Sequence, residues 1–574
     1  MSEPHGWLID TVPSERFPVY TRLNANDVLP DPITPLGASF CWIPHIIPGW
    51  AAGYVALDAF LPSELSQEDM APVAGFFYGY LYINQSNVRV VGIRAGIGWQ
   101  AIDAAFFSAD SPPHDDRPDD VNEELSARMG ARTQWALTTT SFPELEEERE
   151  IADRVRDNRP DLAAMSAAAL VMYARSLMPF ERLCWRSETI ASNQAATGPA
   201  VLTQLLGGAD SSLVVSVIGQ AGDVDSAAPS FALWDLSRAV RADDRLTAEF
   251  DKGVSGLMGR IEEGHADFAA LFARFMHDFG YRGPSEWDLG ADSWETRPEL
   301  ALGLVDRLRQ MGDESSPANR QGDQDRQKTE ATAKALAILG DNVEALATFE
   351  LAVASARRFG AWRERAKTNC IKVMHEARMA LNELARRLHS EGHLENQRQL
   401  FMATDDELDI LIAEPEALRE RLATREKRWH ELADLDIPTF LDSRTGVKPL
   451  HEIPRRAEVE VEVAKPGDVL QGGPASAGVA RGRVRIVQDT ASISEFQPGE
   501  VLVAPQTDPS WTPLFMVAAA VVVDVGALGS HAMIVSRELG IPCAAGVTAA
   551  TRRIPDGAEV EVDGSTGKVT VLSL

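Results

Sequence analysis

The order of apolar and polar positions changes texture three times along the chain. Over the first hundred or so residues, short β-like runs such as Gly79-Tyr80-Leu81-Tyr82-Ile83-Asn84 and Val88-Arg89-Val90-Val91 alternate with Pro, Gly and aromatic residues. That pattern predicts a small α/β region. From Asp120 to about Glu431 the chain is rich in Ala, Leu, Glu and Arg at helical spacing, as in residues 331–351 and 367–389, and reads as a helical body. Two stretches interrupt it. Residues 312–327 are polar and lack large apolar side chains, as a mobile loop would, and residues 280–294 are dense in Gly, Pro and Trp, a composition that often lines sites. A Pro-punctuated stretch, 437–467, reads as a linker. Beyond it short apolar runs alternate with turns: 482–487, 500–504, 519–525, 560–562 and 568–572. One helix interrupts these strands, 530–539, with Gly540 and Pro542 as its stop signals.

At 574 residues the chain is too long for one hydrophobic core. The fold class expected is a multidomain α+β protein. Residues 1–440 form a first domain, with an α/β part over about 1–115 and a helical body over about 116–440. Residues 441–467 link it to a compact α/β domain at 468–574. A formal charge of -30 argues against nucleic acid and anionic membranes as partners, since both would be repelled. Cys41, Cys184, Cys370 and Cys543 lie far apart without ligand spacing, so neither a zinc site nor a disulfide framework is suggested, and no metal ligands are assigned. The first residues, MSEPHGWLID, lack a signal-peptide pattern and the apolar run 517–525 is too short to span a bilayer, which places the protein in the cytoplasm.

The last domain holds the sharpest candidate chemistry. His531 falls at the first helical position after an apolar strand and the turn Gly526-Ala527-Leu528-Gly529, with Ser530 as the expected N-cap. Unpaired backbone N–H groups and the positive end of the helix dipole would favour neutral imidazole and stabilise an anionic group bonded to it. A neutral imidazole nitrogen is a good nucleophile towards phosphorus and a good leaving group afterwards. The alternative is a histidine that only caps a helix or hydrogen-bonds in a turn.

The surrounding residues favour the chemical reading. The segment Gly526-Ala527-Leu528-Gly529-Ser530-His531-Ala532-Met533-Ile534-Val535-Ser536-Arg537-Glu538-Leu539-Gly540-Ile541-Pro542 resembles the active-histidine segment of the swivelling domain of phosphoenolpyruvate-utilising enzymes. Residues 474–482 and Thr507-Asp508-Pro509-Ser510-Trp511-Thr512-Pro513 are similar to the same family's turns, in the same order. Gly529 stands where the dikinases of that family carry threonine, so regulation by phosphorylation at that position is not expected. The resemblance implies a phosphohistidine at His531, with Gly529 and Ser530 supporting it.

Residues 20–30 with Thr34-Pro35-Leu36, and later Phe279-Gly280-Tyr281-Arg282-Gly283-Pro284, resemble the antibiotic-binding domain of rifampin phosphotransferases, although relatives often have His at Tyr281. Arg363-Glu364-Arg365-Ala366-Lys367 places Arg363 and Lys367 on one helix face. Two cations aimed at one point suit a transferring phosphoryl group, and a solvated ion-pairing face is the competing reading. The Arg-Glu-x-x-Lys pattern resembles one in the rifampin phosphotransferase substrate domain. Asn24, Asn26 and Asp27 could orient a substrate hydroxyl or cap a helix, and Arg282 joins them as a candidate substrate contact. Phe40, Trp42, Trp50 and Trp99 read as core before pocket.

Taken together, the resemblance implies a dikinase-like phosphotransferase in which 1–440 bind the acceptor and 468–574 swivel. No glycine-rich phosphate loop followed by lysine is visible, so ATP and Mg2+ are expected on a separate ATP-grasp subunit. Similarity to phenylphosphate synthase and the hydroxyphenyl ketone kinases points to a small phenolic hydroxyl acceptor, with AMP and phosphate as co-products. The rival expectations are a rifampin-type antibiotic phosphotransferase and a non-catalytic binding subunit that keeps the swivel fold.

Overall fold

A computed structural model describes residues 6–26, 29–65, 71–107, 111–207, 211–218, 228–313, 316–488, 496–507, 511–526 and 530–574. The chain divides by its contacts into two compact units, each discontinuous in sequence. The first comprises Met1–Thr197, Trp287–Ala291 and Trp362–Glu460, and the second Gly198–Glu286, Asp292–Ala361 and Val461–Leu574. The fold is α+β and multidomain, as the sequence predicts.

In the first unit, strands β1 (Val19–Thr21), β2 (Ala74–Phe77), β3 (Tyr80–Asn84) and β4 (Phe440–Asp442) form an antiparallel sheet in the order β2-β3-β1-β4. The β2–β3 hairpin turns on Tyr78 and Gly79, both at positive φ (58° and 80°), the two-residue geometry whose twist matches the flanking strands. Strand β4 lies at the start of the Pro-punctuated stretch expected as a linker, and pairs with β1 through Val19↔Asp442 and Thr21↔Phe440. The run Val88–Val91 is helical, contrary to its β-like composition. Asn84 Oδ1 accepts from the Asn87 N–H at 2.9 Å and starts the helix Gln85–Arg94, so a local cap overrides the β-branched residues.

Helices Ile47–Ala56, Pro143–Asp157 and Ala167–Gln194 belong to this unit, as does the part of helix Val343–Ser390 from Trp362 onward. Gly49 and Gly53, four apart on Ile47–Ala56, face Ala167–Gln194 so closely that a Cβ on Gly53 would stand 2.4 Å from Thr189 Cβ. The segment Trp287–Ala291 enters this unit as a structural tie. The buried Asp288 carboxylate accepts from Thr34 N (2.9 Å), Thr34 Oγ1 (2.5 Å) and Gly290 N (3.1 Å), and Arg378 Nη2 donates to the Asp288 carbonyl (2.9 Å).

The second unit is built on an eight-stranded mixed sheet. Its strands are β5 (Val469–Gln471), β6 (Gly473–Ser476), β7 (Val479–Ile486), β8 (Val501–Ala504), β9 (Ala520–Val523), β10 (Cys543–Ala545), β11 (Glu559–Asp563) and β12 (Lys568–Ser573), in the order β5-β12-β11-β7-β8-β9-β10-β6. The central run β7-β8-β9-β10 is parallel and its middle strands are buried on both faces. Alternation sorts their side chains. Val501, Val503 and Val522 join Val560 and Val562 on one face, while Leu502, Val521 and Val523 join helices Ala228–Arg241, Ala266–Phe279 and Pro298–Arg309 on the other.

The polar stretch expected as a mobile loop is largely helical. Helix Pro317–Leu339 starts with Pro317 at its first position after Ser316, whose Oγ accepts from Ala318 N at 3.3 Å, and stops at Gly340 with φ 57°. Its Ala, Gln, Arg and Lys residues are good helix formers, so polarity here does not mark a lack of structure.

Candidate functional site

Strand β9 feeds the helix His531–Leu539, which returns to the parallel neighbour β10. Gly540 ends that helix in the left-handed region with φ 64°, as the sequence predicts. His531 is its first residue, so its backbone position lies where the helix presents unpaired N–H groups. The His531 side chain and the turn residues Ala527, Leu528 and Gly529 lie outside what the structure describes.

Ser530 has extended backbone angles (φ -68°, ψ 154°), those of an N-cap, but its buried Oγ makes no hydrogen bond among the described residues. Ser530 thus takes the expected N-cap position without the expected side-chain cap hydrogen bond. Asp524, at the end of β9, anchors the approach: its carboxylate accepts from Thr551 N at 2.8 Å and Thr551 Oγ1 at 2.5 Å.

The second candidate group lies in the first unit. Helices Ala167–Gln194 and Val343–Ser390 run antiparallel there: Arg387 Nη1, near the end of the second, donates to Met165 O at 2.6 Å just before the first, and further along Glu188 feels the charges of Lys367 and Arg363. Arg363 Nε donates to Glu364 Oε1 at 3.1 Å, and Lys367 Nζ stands 3.8 Å from the same oxygen. The Lys367 side chain keeps 37% of its surface exposed, and Arg363 25%. The structure thus brings Arg363 and Lys367 together around one carboxylate, with solvent access.

Sequence reasoning missed Glu188. It is buried, accepts from Ser192 Oγ at 2.5 Å, and burial raises its pKa, while Lys367, the Ser192 hydrogen bond and Arg363 pull it back. Two further carboxyls accompany it. Glu148 is pushed up to about 7 by burial, with Ser187 Oγ donating to its Oε1 at 2.7 Å. Glu181, wholly buried, is held well above the carboxylate range by the same cause. The signal in the sequence was Glu181 and Glu188, seven apart, acids on an otherwise apolar helix face.

Trp185, three residues before Glu188, packs against Trp42, Trp50 and Trp287 with ring centroids 5.6, 5.8 and 5.1 Å away. Trp42 and Phe40 are core residues, as expected. Asn24 Nδ2 donates to Phe106 O at 2.9 Å, and Asn26 is buried in the same turn; neither caps a described helix. Asp27 lies outside the described residues. Arg282 belongs to the second unit, where it pairs with buried Glu286 at 2.9 Å and lies over the Tyr281 ring.

Residues 496–567 match the mobile domain of the PEP-utilising enzymes, and residues 187–364 match the fourth domain of rifampicin phosphotransferase. Two segments of the chain are thus similar to domains of PEP-utilising enzymes. The second match begins one residue before Glu188 and ends one after Arg363.

Among curated relatives, an uncharacterised phosphotransferase of Bacillus subtilis is 30% identical over 357 residues, covering 59% of this chain and 41% of that protein. An uncharacterised protein of Mycobacterium tuberculosis is 27% identical over 603 aligned positions, covering 98% and 63%. The rifampicin phosphotransferase of Streptomyces sviceus is 30% identical over 352 residues, covering 60% and 39%. The chain thus spans between about two fifths and just under two thirds of these relatives' lengths. Among the described residues no helix is long and apolar enough to cross a membrane.

Proposed function

We propose that this chain supplies the phosphohistidine carrier and the acceptor-binding part of an ATP-dependent phosphotransferase of the PEP-utilising family. His531 takes a phosphoryl group originating from ATP, which an ATP-grasp module on a partner subunit binds with Mg2+. The group then passes to the hydroxyl of a small acceptor: the hydroxyl oxygen attacks phosphorus in line, the P–N bond breaks, and its electron pair returns to the imidazole. Arg363 and Lys367 stabilise the charge spread over the three transferring oxygens. AMP and inorganic phosphate are the co-products.

The observation that carries this reading is the position of His531 at the first residue of a helix inside the matched mobile domain, where backbone N–H groups favour an anionic substituent. The exposed cation pair Arg363 and Lys367 supports an acceptor site in the other unit. A phenolic acceptor is our first choice, because a phosphohistidine has the transfer potential to make an aryl phosphate. The match to rifampicin phosphotransferases favours a rifamycin-like hydroxyl compound as the second.

Intact-protein mass spectrometry tests the carrier step. After incubation with ATP, Mg2+ and the ATP-grasp partner, wild type should gain one acid-labile phosphate and His531→Ala none. A demonstrably active partner that leaves wild type unmodified would instead support a binding subunit that keeps the swivel fold as scaffold.

A further inference from the structure

The antiparallel pair Ala167–Gln194 and Val343–Ser390 puts a third functional group beside the two cations. Arg387 Nη1, on Val343–Ser390, donates to Met165 O at 2.6 Å just before Ala167–Gln194, and this contact fixes the level of the two helices. Glu188 lies 23 residues beyond Met165, and 23 residues back from Arg387 is Glu364, between Arg363 and Lys367. Glu188 therefore falls between the levels of the two cations.

Its surroundings are well defined. The groups within its electrostatic reach are Lys367, Arg363, Glu364 and Cys370 on Val343–Ser390 and the buried Tyr54 on Ile47–Ala56. On its own helix Ser192 Oγ donates to Oε1 at 2.5 Å. Gly49 and Gly53 hold Ile47–Ala56 against this face, and Trp185 covers the turn before it. A carboxyl placed beside two cations, yet paired with neither at salt-bridge distance among the described contacts, is arranged unlike the ordinary surface ion pairs of this chain, such as Lys372 with Asp153 at 2.5 Å.

We propose that Glu188 takes the acceptor's hydroxyl proton as the phosphoryl group is delivered, with Ser192 positioning the carboxylate and Lys367 and Arg363 receiving the phosphoryl oxygens. The inference rests on the function proposed above. In the step, the O–H bond breaks and its proton passes to the Glu188 carboxylate. The oxygen electron pair forms the new O–P bond, and the pair from the broken P–N bond stays on the His531 imidazole. Burial and the two cations oppose one another at Glu188, which leaves its carboxyl above the ordinary range and a stronger base than a solvated one.

The test separates loading from discharge. Wild type, Glu188→Gln and Glu188→Asp are first phosphorylated with ATP, Mg2+ and the ATP-grasp partner. Loss of phosphate from His531 is then followed by mass spectrometry across a pH series with phenol, rifampicin or water alone as acceptor. All three proteins should load alike. Discharge by Glu188→Gln should fall roughly 100-fold to 10,000-fold. The rise of the wild-type rate with pH should vanish in Glu188→Gln and return, shifted, in Glu188→Asp. A Glu188→Gln protein that discharges at the wild-type rate with the wild-type pH profile for every acceptor overturns the assignment. Failure of wild type itself to load overturns the function, and this inference with it.

Discussion

Burial sets the charge of the carboxyls around helix Ala167–Gln194 before any ligand arrives. Glu148, on Pro143–Asp157, has its pKa raised to about 7, so in the window between the ordinary carboxylate value and 7 the folded chain binds a proton that the unfolded chain has released. Stability from this site is therefore intact at low pH and falls as pH rises through the window. Glu148→Gln keeps an acceptor for Ser187 and removes the titration, so it should stabilise the protein above pH 7 by at most about 3 kcal/mol and be nearly neutral near pH 4. Urea unfolding at both pH values checks this; a variant equally or less stable at pH 8 would show that the carboxyl is relieved by another partner. The same residues mark where the sequence was readable. His531 was legible because its signal is local: strand, glycine turn, cap and helix lie within some twenty residues. Glu188 was not, because its meaning comes from Arg363 and Lys367, far along the chain on another helix.

Elements divide in a similar way. Helix His531–Leu539 and strands β7, β8, β9, β11 and β12 fall where periodicity and stop signals place them: β8 and β9, buried on both faces, read as continuous apolar runs, and β11 and β12 as alternating ones. The errors were at Val88–Val91, where the Asn84 cap decided the backbone state against β-branched composition, and at residues 317–327, where polarity hid a run of good helix formers. Glycine spacing is a third kind of signal, which becomes readable only when the partner helix is known. Gly49 and Gly53 recur every four residues because Ile47–Ala56 approaches the backbone and side chains of Arg182, Trp185 and Thr189. Gly53→Ala would force its Cβ against Thr189 and should cost about 1 to 3 kcal/mol in urea unfolding. A shift of the Trp185 neighbourhood, seen as altered tryptophan fluorescence, should accompany it. Thr189→Ala in the same background should restore part of the loss, which a simple change in helix propensity would not allow.

At the scale of the whole molecule, the proposed chemistry would be shared between two compact units: His531 belongs to one, and Arg363, Lys367 and Glu188 to the other. If His531 acts by carrying the group, its loading should depend only on its own unit and on the ATP-grasp partner, and its discharge on the acceptor unit. The double variant Arg363→Ala, Lys367→Ala should then reach the same phosphate occupancy as wild type but retain it, with discharge slowed at least about 100-fold because two charge contacts to the transferring group are gone. His531→Ala should neither load nor transfer, and mixing the two variants should restore turnover only if the units of different molecules can serve each other. Equal loading with slow discharge, measured by intact mass in single turnover, is the expected pattern. A double variant that fails to load would move the two cations into the ATP half-reaction and remove the reason for assigning the acceptor to this unit. The overall charge of -30 bears on the same experiment, because a partner that recognises the chain through basic groups would load it more slowly as salt screens that field. Discharge, which needs no second protein, should be insensitive to salt, so ionic strength offers an independent way to separate the two halves.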